Sequence, residues 1–102
     1  MNMLEIKAEE LQKLIYSEDV VIVDFWAPWC GPCQVFKPVF EQIADTSPAR
    51  MVTINVDQNA EYAKSLGIRS IPTVKIYKAG VELFSKTGFI SESELTDLTT
   101  KY

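Results

Sequence analysis

The stretch Val20-Val21-Ile22-Val23-Asp24-Phe25-Trp26-Ala27-Pro28-Trp29-Cys30-Gly31-Pro32-Cys33 decides the fold. Val20 to Trp26 is rich in β-branched and aromatic residues and almost continuously apolar, as a strand buried on both faces of a parallel or mixed sheet must be. The Pro28–Cys33 run then breaks that strand. Beyond it Val35, Phe36, Val39, Phe40 and Ile43 recur at the 3.6-residue period of an amphipathic helix, predicted from near Cys33 to Ala44. Pro38 inside that helix should remove a hydrogen bond and kink it. The two cysteines therefore sit at a strand-to-helix junction.

Outward from this centre the chain alternates strands and helices. Met3 to Lys7 is a strand candidate, and Leu11, Leu14 and Ile15 give Ala8–Tyr16 a helical stripe behind the acidic first turn Glu9-Glu10. Met51–Val56 alternates as a strand. Asn59 is placed to cap a short helix through Leu66, with Gly67 as its left-handed stop. Thr73–Tyr77 and Val81–Lys86 read as a hairpin closed at Ala79-Gly80. Ser91-Glu92-Ser93-Glu94 is a capping-box pattern that opens a last helix, with Leu95 and Leu98 facing inward. The order βαβαβαββα predicts an α/β layered fold with a hairpin edge.

Length and composition narrow the function. A chain of 102 residues, 47% apolar and 24% charged, fits one globular domain spanning 1–102. Its apolar runs are far shorter than the roughly 20 residues that cross a bilayer. No basic segment with an apolar core marks a secretory signal, so a cytoplasmic chain without membrane association is expected. The net charge of −4 disfavours nucleic acid as a partner. Histidine is absent altogether, which excludes Ser-His-Asp chemistry and removes the commonest metal ligand.

Two cysteines separated by two residues can bring their Cα atoms within disulfide range with little backbone movement. If Cys30 lies at the helix N-terminus, free N–H groups and the helix dipole stabilise its thiolate, making it the attacking sulfur. Pro32 is tolerated in the first turn, where no N–H is missed, and should hold Cys33 further in as the resolving sulfur. Half of a zinc site is the competing reading, but a structural zinc needs about four ligands. One chain with two cysteines and no histidine cannot supply them; only a metal shared between two chains would. A structural staple is the weaker alternative, because so short a loop constrains little.

The run Val23–Cys33, then Pro38, then Gly67-Ile68-Arg69-Ser70-Ile71-Pro72-Thr73, and later Gly80 and Gly88, resembles the thioredoxin family in the family's order and over essentially the whole chain. The resemblance implies the thioredoxin fold, a central mixed sheet of about five strands flanked by four helices. It implies a protein-disulfide reductase without a cofactor or metal, in which Cys30 attacks a target disulfide and Cys33 resolves the mixed disulfide. It implies disulfide-containing target proteins and a thioredoxin reductase or equivalent electron donor as partners, and a monomer is the simplest expectation.

The same resemblance gives Asp24 the proton exchange of the buried cysteine; burial should raise its pKa. Read without it, Asp24 is a strand-end carboxylate turned to solvent or satisfying a turn. Pro72 matches a cis proline facing the disulfide, against an ordinary trans proline opening an edge strand. Ile71 would pair its backbone with an extended target segment. Trp29, Pro32, Ile71 and Gly88 would form a low apolar surface around the sulfurs, with Gly31 and Pro32 shaping the turn, whereas Trp26 reads as packing beneath it.

Two positions depart from the pattern. Thr53 stands where many bacterial-type members carry a lysine close to the Asp, so a cation should be missing and the Asp24 pKa should rise further. Gln34 stands where Lys or Arg is common, removing a charge near Cys30. Lys75, Lys78 and Lys86 read as the solvated side of a sheet edge. Two rival functions share this body: a disulfide-forming oxidant or isomerase, and a binding module with incidental thiols. Gly31-Pro32 resembles the reducing members, and both cysteines are present.

Overall fold

The computed structural model describes residues 4–102. Four strands form one mixed sheet: β1 (Val21–Trp26), β2 (Arg50–Asn55), β3 (Thr73–Lys78) and β4 (Val81–Thr87), in the order β2-β1-β3-β4. β1 runs parallel to β2 and antiparallel to β3, and β4 closes the hairpin with β3. Around the sheet lie α1 (Ala8–Leu14), α2 (Gly31–Ala44), α3 (Ala60–Ser65) and α4 (Glu92–Lys101).

Alternation along β1 assigns each face its partner. Ile22 points into one core with Phe36, Phe40 and Ile43 of α2, Met51 and Val74 of the sheet, and Leu95 and Leu98 of α4. Val21, Val23 and Phe25 point into the other, with Leu11 of α1, Val52 and Ile54, and Tyr62 and Leu66 beside them. β1 is buried along its whole length because it has neighbours on both edges and helices on both faces. Fully buried phenylalanines such as Phe25, Phe36 and Phe40 each contribute about 2–3 kcal/mol through the apolar area removed from water.

The expected N-terminal strand is not formed among the described residues. Only Glu5 bridges to Thr53, flanked by bonds from the Ile6 N–H to the Thr53 carbonyl and from the Thr53 N–H to the Leu4 carbonyl. α1 begins at Ala8 and takes the chain out of the ladder; among the described residues the sheet holds four strands rather than about five, and Met3 lies outside them. α1 stops at Leu14 and α2 starts at Gly31, two residues away from their predicted limits.

Asn59 precedes α3 but does not cap it. Its side chain instead accepts the Ala8 N–H at 2.9 Å and donates to the Asn55 carbonyl at 2.9 Å, so it satisfies one of the free N–H groups at the N-terminus of α1. Ser91 caps α4 as the pattern predicts, accepting the Glu94 N–H at 3.1 Å.

The β3–β4 turn holds Ala79 at φ 50° and Gly80 at φ 82°, the double positive φ of a tight hairpin. A Cβ on Gly80 would lie 2.8 Å from the Tyr16 ring, which is 70% exposed and free to swing aside. Backbone strain therefore dominates, and Gly80→Ala should cost about 1–2 kcal/mol in urea unfolding. An unchanged midpoint would contradict the assignment.

Candidate active site

Cys30 is the N-cap of α2. Its φ of −86° and ψ of 111° are extended, its carbonyl accepts the Gln34 N–H at 3.2 Å, and its Sγ accepts the Cys33 N–H at 3.2 Å. Gly31 and Pro32 fill the first helical positions, where proline forfeits no intrahelical bond. The cysteines are joined as a disulfide with their Cα atoms 5.2 Å apart, and both are buried. Positive helix-end potential and a directed N–H therefore act on Cys30 Sγ, and both favour its thiolate once the bond is reduced.

The opposite wall comes from a distant part of the chain. Ile71-Pro72 is a cis peptide, and the Ile71 carbonyl oxygen lies 3.7 Å from Cys30 Sγ. A disulfide sulfur has no proton, so this contact becomes a hydrogen bond only for the thiol. The Gly88 N–H donates to the Pro72 carbonyl at 2.8 Å, tying the end of β4 to the same corner. On the other side Trp29 is 70% exposed, and its indole N–H donates to Asp57 at 2.9 Å. Trp26 is buried with Ala27 and both cysteines, beneath the surface. Gln34 donates to the Pro28 carbonyl at 3.2 Å, so the residue replacing a charge fastens the turn. The hollows between α1 and residues 57–62 include neither cysteine.

Asp24 shares the face of β1 that carries Ile22 and Trp26, so it points into the layer between β1 and α2. It is 1% exposed and neither carboxyl oxygen has a hydrogen-bond partner in the protein. Thr53, its partner in register on β2, is buried with its hydroxyl likewise unpartnered. Burial pushes the Asp24 pKa up to about 7, and Lys37 opposes that shift. The solvent-turned reading of Asp24 is thereby excluded.

The cation at position 53 is absent, but Lys37 supplies one from another element. Thr53 carries no charge, yet the ammonium of Lys37 stands 4.5 Å from the centroid of Trp26 and acts on Asp24 from α2 instead of β2. Lys37 lies one helical turn after Cys33, a spacing that could have placed it on the same face from sequence alone. Asp57 and Phe89 were also missed. Removing the cation in Lys37→Met should raise the Asp24 midpoint above its wild-type value, as followed by NMR titration of the carboxyl carbon; an unmoved or lowered midpoint would refute the coupling.

No group of three or more Cys, Asp or Glu side chains among the described residues could hold a metal ion. No helix among them is long and apolar enough to cross a membrane.

Comparison with known proteins agrees with this geometry. The family model described as Thioredoxin matches residues 2–101. A thioredoxin of Pyropia yezoensis is 44% identical over 93 residues, covering 89% of this chain and 87% of that protein. Thioredoxin 1 of Nostoc sp. is 39% identical over the same shares of the two chains. Among solved structures, a mutant thioredoxin from Halobacterium salinarum superposes with a TM-score of 0.89 at 36% identity, covering 97% of this chain and 88% of that one. Fasciola hepatica thioredoxin gives 0.86 at 33% identity, covering 97% and 98%. With a matching model over nearly its whole length and a cysteine pair closed at a helix N-terminus, this chain belongs to the thioredoxin family of protein disulfide oxidoreductases.

Proposed function

We propose that the chain is a general reductant of protein disulfides, acting as a monomeric single domain of residues 1–102 in the cytoplasm, away from membranes and nucleic acid. The observation that carries the reading is Cys30 at the N-terminus of α2, with the Ile71 carbonyl beside its sulfur. In the reduced protein, the Cys30 thiolate attacks one sulfur of a target disulfide. That S–S bond breaks, a Cys30–target disulfide forms, and the other target sulfur leaves as a thiolate that takes a proton from water. Cys33 then gives its proton to the Asp24 carboxylate and attacks Cys30 Sγ, releasing the second target thiolate. Two electrons have passed from the cysteine pair to the target.

The protein is left oxidised, the state described above, and Asp24 holds the transferred proton until water removes it. Burial supports this role, because a carboxyl with a pKa of about 7 can both take and release a proton near neutrality. The positions of the surrounding residues support the roles proposed for them. Ile71 offers a backbone carbonyl to an extended target segment, Pro72 and Gly88 hold that corner, and Trp29 flanks it. Gly31 and Pro32 give the turn its low profile. A thioredoxin reductase or an equivalent dithiol donor restores the reduced pair. The test is whether the protein accelerates reduction of a disulfide-linked protein by excess dithiol, dependent on Cys30; no acceleration would overturn the reading.

A further inference from the structure

Phe89 is a large aromatic residue with 51% of its surface exposed, in the link between β4 and α4. Single exposed apolar side chains are ordinary. This one is held in place, and the residue before it is bonded to the Ile71-Pro72 corner that faces Cys30. The Gly88 N–H before it is bonded to the Pro72 carbonyl at 2.8 Å, and Ser91 after it caps α4. One edge of its ring packs against Phe36, the centroids 5.9 Å apart and the planes at 75°. Phe36 lies three positions after Cys33, on the same helix face. The buried part of the Phe89 ring thus belongs to the core, while the exposed part extends the surface that begins at Cys30, Ile71 and Pro72.

The sheet order places this ring opposite the other exposed aromatic side chain of the site. Trp29 is tied to Asp57, just beyond β2, whereas Phe89 follows β4, at the far edge of β2-β1-β3-β4. Cys30 follows β1 and Ile71 precedes β3, both in the middle. A segment laid along Ile71 therefore has an aromatic residue on each side. Trp29 spends its only polar group on Asp57 and presents an apolar face, and Phe89 has none.

Resting on the reductase reading, we propose that Phe89 is a specificity-determining residue: it forms the apolar wall of the target groove on the α4 side of Cys30 and selects extended segments with an apolar side chain next to the reacting cysteine. Contact between such a side chain and a half-exposed ring removes apolar area from water on both partners, and a polar side chain gains nothing there.

The test uses the full chain and two synthetic peptide disulfides, identical except that leucine or serine flanks the reacting cysteine. Wild type should favour the leucine peptide in kcat/KM by about tenfold, the order expected for a single apolar contact. Phe89→Ala should bring that ratio close to one, Phe89→Leu should preserve most of it, and Val81→Ala, an exposed apolar control on β4, should leave it unchanged. Equal kcat/KM for both peptides with wild type overturns the proposal whether or not the alanine variant folds, as does a ratio that survives Phe89→Ala. Turnover of a small disulfide such as bis(2-hydroxyethyl) disulfide by wild type, compared with Cys30→Ser, reports separately on the reductase reading. If that turnover is present and the peptide ratio is one, selectivity alone has failed.

Discussion

Cys30→Ser should abolish disulfide reduction, lowering the rate of dithiol-driven reduction of a protein disulfide by at least about 10³-fold, to the rate of the dithiol alone. A serine hydroxyl is far too weakly acidic to form the nucleophile, and the helix end that stabilises a thiolate cannot lower its pKa enough. Cys33→Ser separates the two steps. It keeps the attacking sulfur but cannot release the target, so it should stop after one turnover as a covalent Cys30–target disulfide, visible by mass spectrometry and reversed by dithiol. The reverse pattern, trapping by Cys30→Ser and not by Cys33→Ser, would exchange the roles. The structure gives the physical basis for the order: Cys30 caps the helix and faces the Ile71 carbonyl, whereas Cys33 is the more deeply buried of the two, at 1% exposure against 5%.

Asp24→Asn should have opposite effects on stability and activity. The folded-state pKa of Asp24 is raised from 3.8 to about 7. Between those values the folded protein binds a proton that the unfolded chain has released, so stability falls as pH rises through this window and levels off above about 7. A shift of this size corresponds to about 4 kcal/mol of stability forgone at pH 8. Asparagine, nearly isosteric with the protonated acid, carries no such penalty. Urea unfolding of the oxidised protein should therefore show the variant more stable by a few kcal/mol at pH 8 and little changed at pH 4. An equal difference at both pH values would mean that Asp24 does not titrate as a buried acid.

The same substitution removes the acceptor for the Cys33 proton. Reduction of a protein disulfide by Asp24→Asn at pH 7 should slow by about 10- to 100-fold, in the lower range of general-base effects. The deficit should shrink toward pH 9, where a thiol of ordinary pKa, about 8.5, ionises without help. A deficit independent of pH would assign Asp24 a structural role only. Wild type gives up stability at neutral pH by burying an acid among apolar neighbours, and the pKa that results is the one proton exchange requires.

The apolar run before the cysteines announced β1, the period behind them announced α2, and the hairpin and last helix were both found within a residue or so. These elements were legible because each is specified by its own pattern: β-branched continuity, 3.6-residue spacing, a Gly-bearing turn, a Ser cap. Of the expected N-terminal strand, Glu5 keeps one parallel bridge to Thr53 before α1 claims the chain at Ala8, because a local pattern does not say how long a ladder its partner allows. Asn59 was placed correctly at the start of α3, but its side chain turns to α1, a choice made by the proximity of a free N–H at Ala8.

The cysteine pair could be named from residue type and spacing, since thiol chemistry depends on both, whereas Asp24 and Ile71-Pro72 were named only through the resemblance to the thioredoxin family. The cation near Asp24 could not be placed by matching positions: Thr53 suggested none, and Lys37 supplies one from another element. Nothing in the sequence singled out Phe89; the hairpin brings the residue before it to the Pro72 corner, and its ring packs on Phe36. By itself, then, the sequence determined the sulfur chemistry of Cys30 and Cys33 and the elements that hold them, because these depend on neighbours within one helical turn. Only the tertiary structure decided what Asp24 feels and what a target would touch, because charge and apolar contact act through space, between residues the chain separates and the packed sheet brings together.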